Sequence, residues 1–561
     1  MLRNLSHGNT VSALGDLLLI SLATCSVYLP FLGIDTFNGN EPIRVIIARE
    51  MLETGNWAMP LLHGKLYLIK PPLMSWLIAV SGVVFGAVNE WTARLPSVLA
   101  VLLTGYAVYF FTSPRLTRGG RLFASLALVT MVGLITKGMS AEIDSLFILL
   151  TSSALLTWFY GYTQQGKPVH IWIISLSITG IGLLTKGPQG IAYFYFTVFA
   201  YLLCKRNLRF FFSLSHLAGL ICFASILGIY LLTVFQYVSP HAYFQMWKNE
   251  IMQRGSTNYS SGFLRHLVWY PAESFLSFLP WTLGFLPLIV IRELRTRAKE
   301  LLSNDLFLFA FIMIAANFPL YWLLPGARVR YILPVGPFVA IMLACLFEWY
   351  QQEAARDPGI QTFFKKFFVV LLSVATLSAL SIIPAVLLLK FDLSLHLILL
   401  VSTLMLIILF LWFRQHILSP ASITLSIVVF TGFLILGYNA LEAQSEEKRR
   451  DAPQKIARAI HNILPADTGT VYEIGYDRFL EITCYLSQEV IQLDSFDQLT
   501  HLAGRQNVYF IFDTVYRNKR KKSAGIDPLE HIPWEQVYAM PYENSEKEIV
   551  VGYLREDAVK R

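Results

Sequence analysis

The chain has 561 residues, 55% of them hydrophobic and only 15% charged, with a mean hydropathy of +0.53. A water-soluble globule cannot cover that much apolar surface, so most of the chain belongs in lipid. The formal net charge of +8 falls mainly in short loops, which makes it a signal of membrane topology rather than of nucleic-acid binding.

The first apolar run, ALGDLLLISLATCSVYLPFLG, shows no small-residue cleavage site and reads as a retained helix. Stretches of spanning length, about 17–25 residues, follow in series. They lie at 13–33, 95–112, 122–136, 144–160, 170–185, 188–204, 213–236, 275–291, 305–324, 331–349, 366–389, 394–412 and 421–441, thirteen in all. The stretch 71–87 is short, opens with Pro71-Pro72 and ends in FGAVNEW, so it either spans or lies flat. Charge decides. With 71–87 flat, one set of loops contains SPRLTRGGR, CKRNLR, IRELRTRAKE and QQEAARDPGIQTFFKK, all strongly basic and therefore cytoplasmic. If it spanned, the first helix would disagree with every later loop. It is read as an interfacial helix.

The opposite face then receives the first loop, TKGMSAEID, LLTKGPQG, the long 237–274 loop and PGARVRY. Arg44, Lys70, Lys186, Arg328 and Arg330 stand there against the positive-inside rule, which points to an anionic ligand. After residue 441 the character changes. A polar helix followed by strands such as GTVYEIG and NVYFIFD reads as a small α/β domain, 442–561, on the non-cytoplasmic side. The fold class expected is an α-helical polytopic membrane protein, residues 1–441, plus this domain. The five cysteines stand singly, four of them (Cys25, Cys204, Cys222, Cys345) in or beside apolar runs and Cys484 in the C-terminal domain. No disulfide framework or CxxC motif organises them.

Glu41 follows the first span and opens an amphipathic helix, with Ile43, Ile46, Ile47 and Met51 at helical spacing and Arg44 and Arg49 among them. The plainer reading is a surface helix whose charges face water. Glu142 and Asp144 sit at the N-terminal end of a span, where a carboxylate also serves as a cap. In GLLTKGPQG, Gly187 and Pro188 read equally as a turn, with Lys186 snorkelling to the interface. Arg328 and Arg330 in GARVRYILP permit the same dismissal. Jointly the signals are stronger, because the topology puts all of them on one face. Carboxylates and cations beside a bilayer suit transfer from a lipid-linked phosphate. The cations stabilise the phosphate as leaving group, and a carboxylate orients or deprotonates the attacking group. The 237–274 loop adds Glu250, Arg254 and His266 as candidate site-lining residues, with Asn40 and Glu142.

AREMLETGNWAMPLLHGKLYLIKPPLMSWL, FGAVNEWTARLPSVLA, SAEIDSLFILL, GLLTKGP, LPW and RVRYILPVGP appear in that order. With them the chain resembles the bacterial membrane glycosyltransferases related to protein O-mannosyltransferases, and most closely the lipid A aminoarabinose transferase group. The likeness covers roughly residues 15 to 350. It implies a GT-C fold of thirteen transmembrane helices, helices lying on the periplasmic face, and a periplasmic C-terminal domain in the bacterial inner membrane. It also implies a polyprenyl-phosphate sugar donor and no nucleotide sugar. Lys70 matches the family's phosphate-contacting lysine, Asp144 its second-loop acid and Lys186 its TKG lysine. Three positions depart from the pattern. The first-loop Asp-Glu is Asn40-Glu41, and Asn40 cannot act as a base. The Arg two positions after that Glu is Ile43, with Arg44 adjacent as substitute. The family's EKPP is IKPP, so Ile69 removes one acid that could ligate a metal, and no cofactor is certain. These departures point to a subgroup whose sugar or acceptor differs.

The resulting expectation is an inverting glycosyltransferase moving a sugar from polyprenyl (undecaprenyl) phosphate to lipid A or another envelope acceptor. Asp144 and Glu41 would be catalytic, and Lys70, Lys186, Arg44, Arg328 and Arg330 would hold the donor phosphate. The protein is expected to be a monomer among membrane lipids, without a nucleic-acid partner. A protein O-mannosyltransferase-like enzyme, a lipid-linked sugar transporter or flippase, and a non-catalytic assembly subunit are the alternatives. Repeated halves or paired broken helices of the kind transporters show are not evident in the sequence. A cysteine introduced within SPRLTRGGR should resist a membrane-impermeant thiol reagent in intact cells, while one near Gly469 should react. Labelling of both from outside overturns the topology.

Overall fold

The computed structural model describes residues 7–30, 32–255, 259–324, 326–367, 369–370, 373, 451–465, 467–475, 479–502, 505–542 and 547–555. Its first helices are α1 (His7–Tyr28), α2 (Glu41–Thr54), α3 (Leu73–Phe85), α4 (Glu90–Phe111), α5 (Arg118–Val129), α6 (Val132–Gly138), α7 (Asp144–Thr163), α8 (Pro168–Lys186), α9 (Gln189–Cys204) and α10 (Leu208–Phe211). Next come α11 (Leu214–Phe235), α12 (Pro240–Gly255), α13 (Tyr259–Ser277), α14 (Leu286–Val290), α15 (Arg292–Arg297), α16 (Asp305–Trp322) and α17 (Gly336–Arg356). The C-terminal region adds α18 (Asp451–Ile463), α19 (Leu480–Thr483) and α20 (Thr514–Ala524).

Packing divides the chain into two compact units. One comprises Met1–Leu32, Ile69–Met74 and Arg94–Leu441; the other comprises Gly33–Leu68, Ser75–Ala93 and Glu442–Arg561. Among the described residues, α4, α7, α8, α11, α16 and the segment Leu333–Arg356 are long and apolar enough to cross a membrane. Two bent helix pairs are also apolar and long enough together, each as a broken span or a re-entrant loop. α5 and α6 meet at 59°, and Gly262–Ser277 and Trp281–Val290 meet at 101°. This is a multi-pass membrane protein.

The expected spans at 95–112, 144–160, 170–185, 188–204, 213–236, 305–324 and 331–349 each contain a helix. Four readings are corrected. The first helix ends at Tyr28 rather than at 33, just ahead of Pro30. The stretch 122–136 is split at Thr130 and Met131. The stretch 275–291 begins inside α13 and breaks at Pro280, which cannot donate to the preceding turn. The 237–274 loop is the helix pair α12 and α13, with Pro240 fitting the first turn of α12. Stretches 394–412 and 421–441, and most of 366–389, lie outside the described residues.

The two bent pairs meet at their breaks. The Val132 amide donates to the Leu279 carbonyl (3.1 Å), and the Trp281 indole donates to Thr130 Oγ1 (2.8 Å). Backbone groups freed within a membrane must be satisfied inside the protein, and here each break supplies the other. The approach is close enough to require Gly133, since a Cβ there would stand 2.9 Å from the Ser277 carbonyl oxygen. This joint fixes α6, whose last turn carries Lys137.

Midway along α1, Asp16 is 1% exposed. It accepts Arg118 Nε and Nη2 at 2.7 and 2.8 Å and the Tyr109 hydroxyl at 2.6 Å, bolting α1, α4 and α5 together.

The second unit holds a five-stranded sheet. Its strands are β3 (Thr470–Ile474), β4 (Glu489–Leu493), β5 (Tyr509–Asp513), β6 (Trp534–Tyr542) and β7 (Lys547–Leu554), in the order β4-β3-β5-β7-β6. β3 runs parallel to β4 and β5, while β7 is antiparallel to β5 and β6. The central strand, YFIFD, is buried on both faces. Phe510 and Phe512 pack with Ile474 and Val550 on one side; Tyr509 and Ile511 pack with Ile456 and Ile460 of α18 on the other.

First-loop residues belong to this unit. β1 (Leu61–Leu62) and β2 (Lys65–Leu66) form a hairpin closed by His63 and Gly64, both at positive φ (51° and 72°), as a two-residue turn requires. His63 Nδ1 lies 2.8 Å from Glu473 Oε2 on β3, and its carbonyl accepts from Gln492 on β4. The Phe37 amide donates to the Tyr485 hydroxyl (2.8 Å) and the Gly39 amide to Glu481 Oε1 (2.9 Å).

Candidate functional site

α7 and α8 form an antiparallel hairpin, which returns the last residue of α8 to the level where α7 begins. Those residues are Lys186 and Asp144. The lysine is 5% and the aspartate 2% exposed, and Lys186 Nζ stands 2.5 Å from Asp144 Oδ1. α7 has no side-chain cap, and the carboxylate of Asp144, its first residue, takes the lysine instead. Capping and snorkelling therefore fail as accounts of these two residues. The lysine is sandwiched by aromatic faces, 5.2 Å from the Phe147 ring and 5.0 Å from the Tyr331 ring.

A second pair lies beside the first. Arg330 Nη1 donates to Glu142 Oε1 and Oε2 at 3.1 and 3.2 Å, and stands 4.0 Å from Asp144 Oδ2. Lys137 Nζ is 2.5 Å from Glu142 Oε2. Among the described residues three cations (Lys137, Lys186, Arg330) thus face two carboxylates (Glu142, Asp144), a surplus of one positive charge. Burial works against the Arg330 charge, but Asp144 and Glu142 more than offset it and hold the guanidinium above its ordinary value. Among the described residues its buried Nε–H meets no acceptor. Behind Tyr331, the Tyr193 hydroxyl donates to the Tyr331 carbonyl, and Tyr321 stacks on Tyr193 at 5.7 Å. His266 donates from Nε2 to the Tyr321 carbonyl (3.1 Å), so it abuts the aromatic layer.

The remaining expected residues are distributed differently. Lys70 is half-buried in the same unit, ahead of buried Pro71 and Pro72 and the start of α3. Arg328 is exposed at the turn before Val329. Glu250 and Arg254 ride on α12, but their side chains lie outside the described residues. From the same helix, the Trp247 ring comes close to Gly187, within 3.3 Å of where a Cβ would stand.

Glu41 and Arg44 belong to the second unit. Both are buried (1% and 5% exposed), which rules out the surface-helix reading. Glu41 Oε2 accepts the Asn38 amide at 3.1 Å, and the Arg44 guanidinium lies 5.3 Å over Tyr67. Arg49 donates to the Val88 carbonyl at 2.7 Å and to the Cys484 carbonyl. Asn40 precedes the helix without a side-chain capping bond. Among the described residues no three His, Cys, Asp or Glu side chains converge as metal ligands.

Sequence reasoning passed over Lys137. The signal was there: TKG occurs twice, at 136–138 and 185–187, each time ending a helix with a lysine in its last turn. Each lysine pairs with one of the two carboxylates of AEID.

Residues 69–230 match the family signature of dolichyl-phosphate-mannose-protein mannosyltransferase. The chain is 26% identical over 319 residues to the undecaprenyl phosphate-alpha-4-amino-4-deoxy-L-arabinose arabinosyl transferase of Edwardsiella ictaluri, covering 56% of this chain and 55% of that protein. To transferase 1 of the same description from Pseudomonas fluorescens it is 24% identical over 317 residues, covering 55% and 54%. The chain thus spans about half the length of the curated relatives it matches. In fold the likeness runs further. ArnT from Cupriavidus metallidurans, in the crystal structure bound to undecaprenyl phosphate, superposes with a TM-score of 0.70 at 18% identity, over 96% of this chain and 98% of that one. The apo form gives 0.68 at 17%. The fold is that of the GT-C membrane proteins. Within that class it is similar to the fold of ArnT.

Removing one partner of a buried pair leaves an uncompensated charge, at a cost of about 3–5 kcal/mol. Lys186→Met should therefore lower the melting temperature of the purified protein markedly, and Lys186→Met combined with Asp144→Leu should recover most of the loss. A Lys186→Met protein that melts with the wild type would show that the two charges do not depend on each other.

Proposed function

We propose that the protein is an inverting glycosyltransferase of the bacterial inner membrane. It would move a sugar from undecaprenyl phosphate, or a similar polyprenyl phosphate, to an envelope acceptor such as lipid A at the periplasmic face. The observation that carries this reading is the buried set around Asp144 and Lys186, which pairs a carboxylate with a surplus of cations in an apolar surround. Support comes from relatives named as transferases that use undecaprenyl phosphate, and from a fold neighbour with that lipid bound.

The acceptor oxygen attacks the anomeric carbon as the bond from that carbon to the phosphate oxygen breaks. The electron pair leaves with the phosphate, whose growing charge Lys186, Arg330 and Lys70 offset. A hydroxyl acceptor needs a base, whereas a phosphate acceptor is already anionic. Asp144 is the favoured base, because Lys186 can turn from it to the donor phosphate and leave the carboxylate free. Glu41 is the alternative, but its carboxylate already holds the Asn38 amide at the start of α2. Asn40, Ile43 and Ile69 make the sugar or acceptor the part of this reading that departs from aminoarabinose and lipid A.

Single-turnover transfer from a radiolabelled polyprenyl-phosphate sugar in liposomes tests the proposal. Lys70→Ala should slow it by roughly 30- to 1000-fold, equivalent to about 2–4 kcal/mol of lost transition-state contact. With a hydroxyl acceptor, Asp144→Asn should cost about 100-fold or more while donor binding persists, and Glu41→Gln should be milder. A dead Glu41→Gln beside an active Asp144→Asn reverses the assignment. No transfer by the wild type leaves a transporter or an assembly subunit as the better reading.

A further inference from the structure

Lys137 takes no part in the transfer just described, yet it is held as firmly as the residues that do. It ends α6, the short arm beyond the 59° break, and that arm is pinned where Gly133 meets Ser277. Its ammonium reaches the carboxylate that also receives Arg330. One carboxylate cannot neutralise two cations, so Glu142 divides its charge between Lys137 and Arg330. The division shows in the guanidinium itself. Nη1 is spent on Glu142, Nε–H is buried without an acceptor among the described residues, and Asp144 is reached only at 4.0 Å. A buried N–H lacking an acceptor is a standing cost that an arriving anion relieves.

We infer that Lys137 and Glu142 form a positioning pair that governs how readily Arg330 passes to an anionic phosphate. Glu142 parks the guanidinium while no anion is bound. When a phosphate draws Arg330 away, Lys137 stays behind and neutralises the carboxylate, which would otherwise be stranded in an apolar setting. The inference rests on the proposed use of a lipid phosphate. It also predicts opposite signs for the two residues: losing Glu142 frees Arg330, whereas losing Lys137 tightens the hold of Glu142 on it. A pair that merely pinned the turn between α6 and α7 would produce losses of the same sign.

The test is equilibrium binding of undecaprenyl phosphate to the purified full-length protein in detergent micelles, with melting temperature followed alongside. Lys137→Met should weaken binding by about 5- to 20-fold, and Glu142→Gln should tighten it by about 3- to 10-fold, within the range of coupling between neighbouring charges. The double variant should return to within about 2-fold of wild type. Lys137→Arg, which keeps the charge, should restore most of the affinity. Tightening in Glu142→Gln cannot arise from misfolding. If both single variants weaken binding, or neither changes it, the pair is only structural and the inference is overturned while the donor reading stands. Wild-type protein that fails to bind undecaprenyl phosphate overturns the donor reading and this inference with it.

Discussion

Lys186 and Asp144 meet 2.5 Å apart with almost no water around either. Neither charge is tolerable in such a place alone, and each is stable there because of the other. The pairing also suits the helices that carry it. Asp144 opens α7 and Lys186 closes α8, so the carboxylate sits at a positive helix end and the ammonium at a negative one. A helical hairpin is enough to bring them together. The rest of the site follows from this pair. Phe147 and Tyr331 flank the ammonium, Arg330 approaches the carboxylate from a third segment, and Glu142 and Lys137 balance Arg330 in turn.

Long apolar runs made most spans legible, because period and length suffice when every residue faces lipid or protein. The breaks were not legible. A run that reads as one span at 122–136 divides because another bent pair supplies hydrogen bonds at Thr130 and Val132, and no local pattern announces a partner some 150 residues away. Lys186 and Arg330 drew notice because cations stood where the charge rule forbids them, and Asp144 because an acid stood at the mouth of a span. Lys137 was missed although its TKG repeats that of Lys186, because a lysine in a supposed loop needs no explanation. The burial of Glu41 and Arg44 was hidden for a related reason. The helix is amphipathic, and its charged positions look solvated until the loops and the distant C-terminal segment around it are known.

The C-terminal domain shows the same limit from the other side. YFIFD announces a strand buried on both faces, and the structure places it at the centre of the sheet. Nothing in those five residues says that the sheet is joined to a hairpin near residue 63. That join turns on two positive-φ residues and on His63 reaching Glu473, contacts that exist only once the chain has returned from the membrane.

This last feature orders events in time. The hairpin at 61–66 is synthesised well before its sheet partners Glu473 and Gln492, which follow His63 by about 410 and 430 residues. At about 5–20 residues per second, roughly 20–80 s separate the two. Throughout that interval α2 lacks the α19 end that receives Arg49, and the loop carrying Glu41 has no finished setting. A nascent or prematurely ended chain thus holds every span of its first half and still cannot complete the loop between α1 and α3. Completion of that loop waits for the strands that carry Glu473 and Gln492.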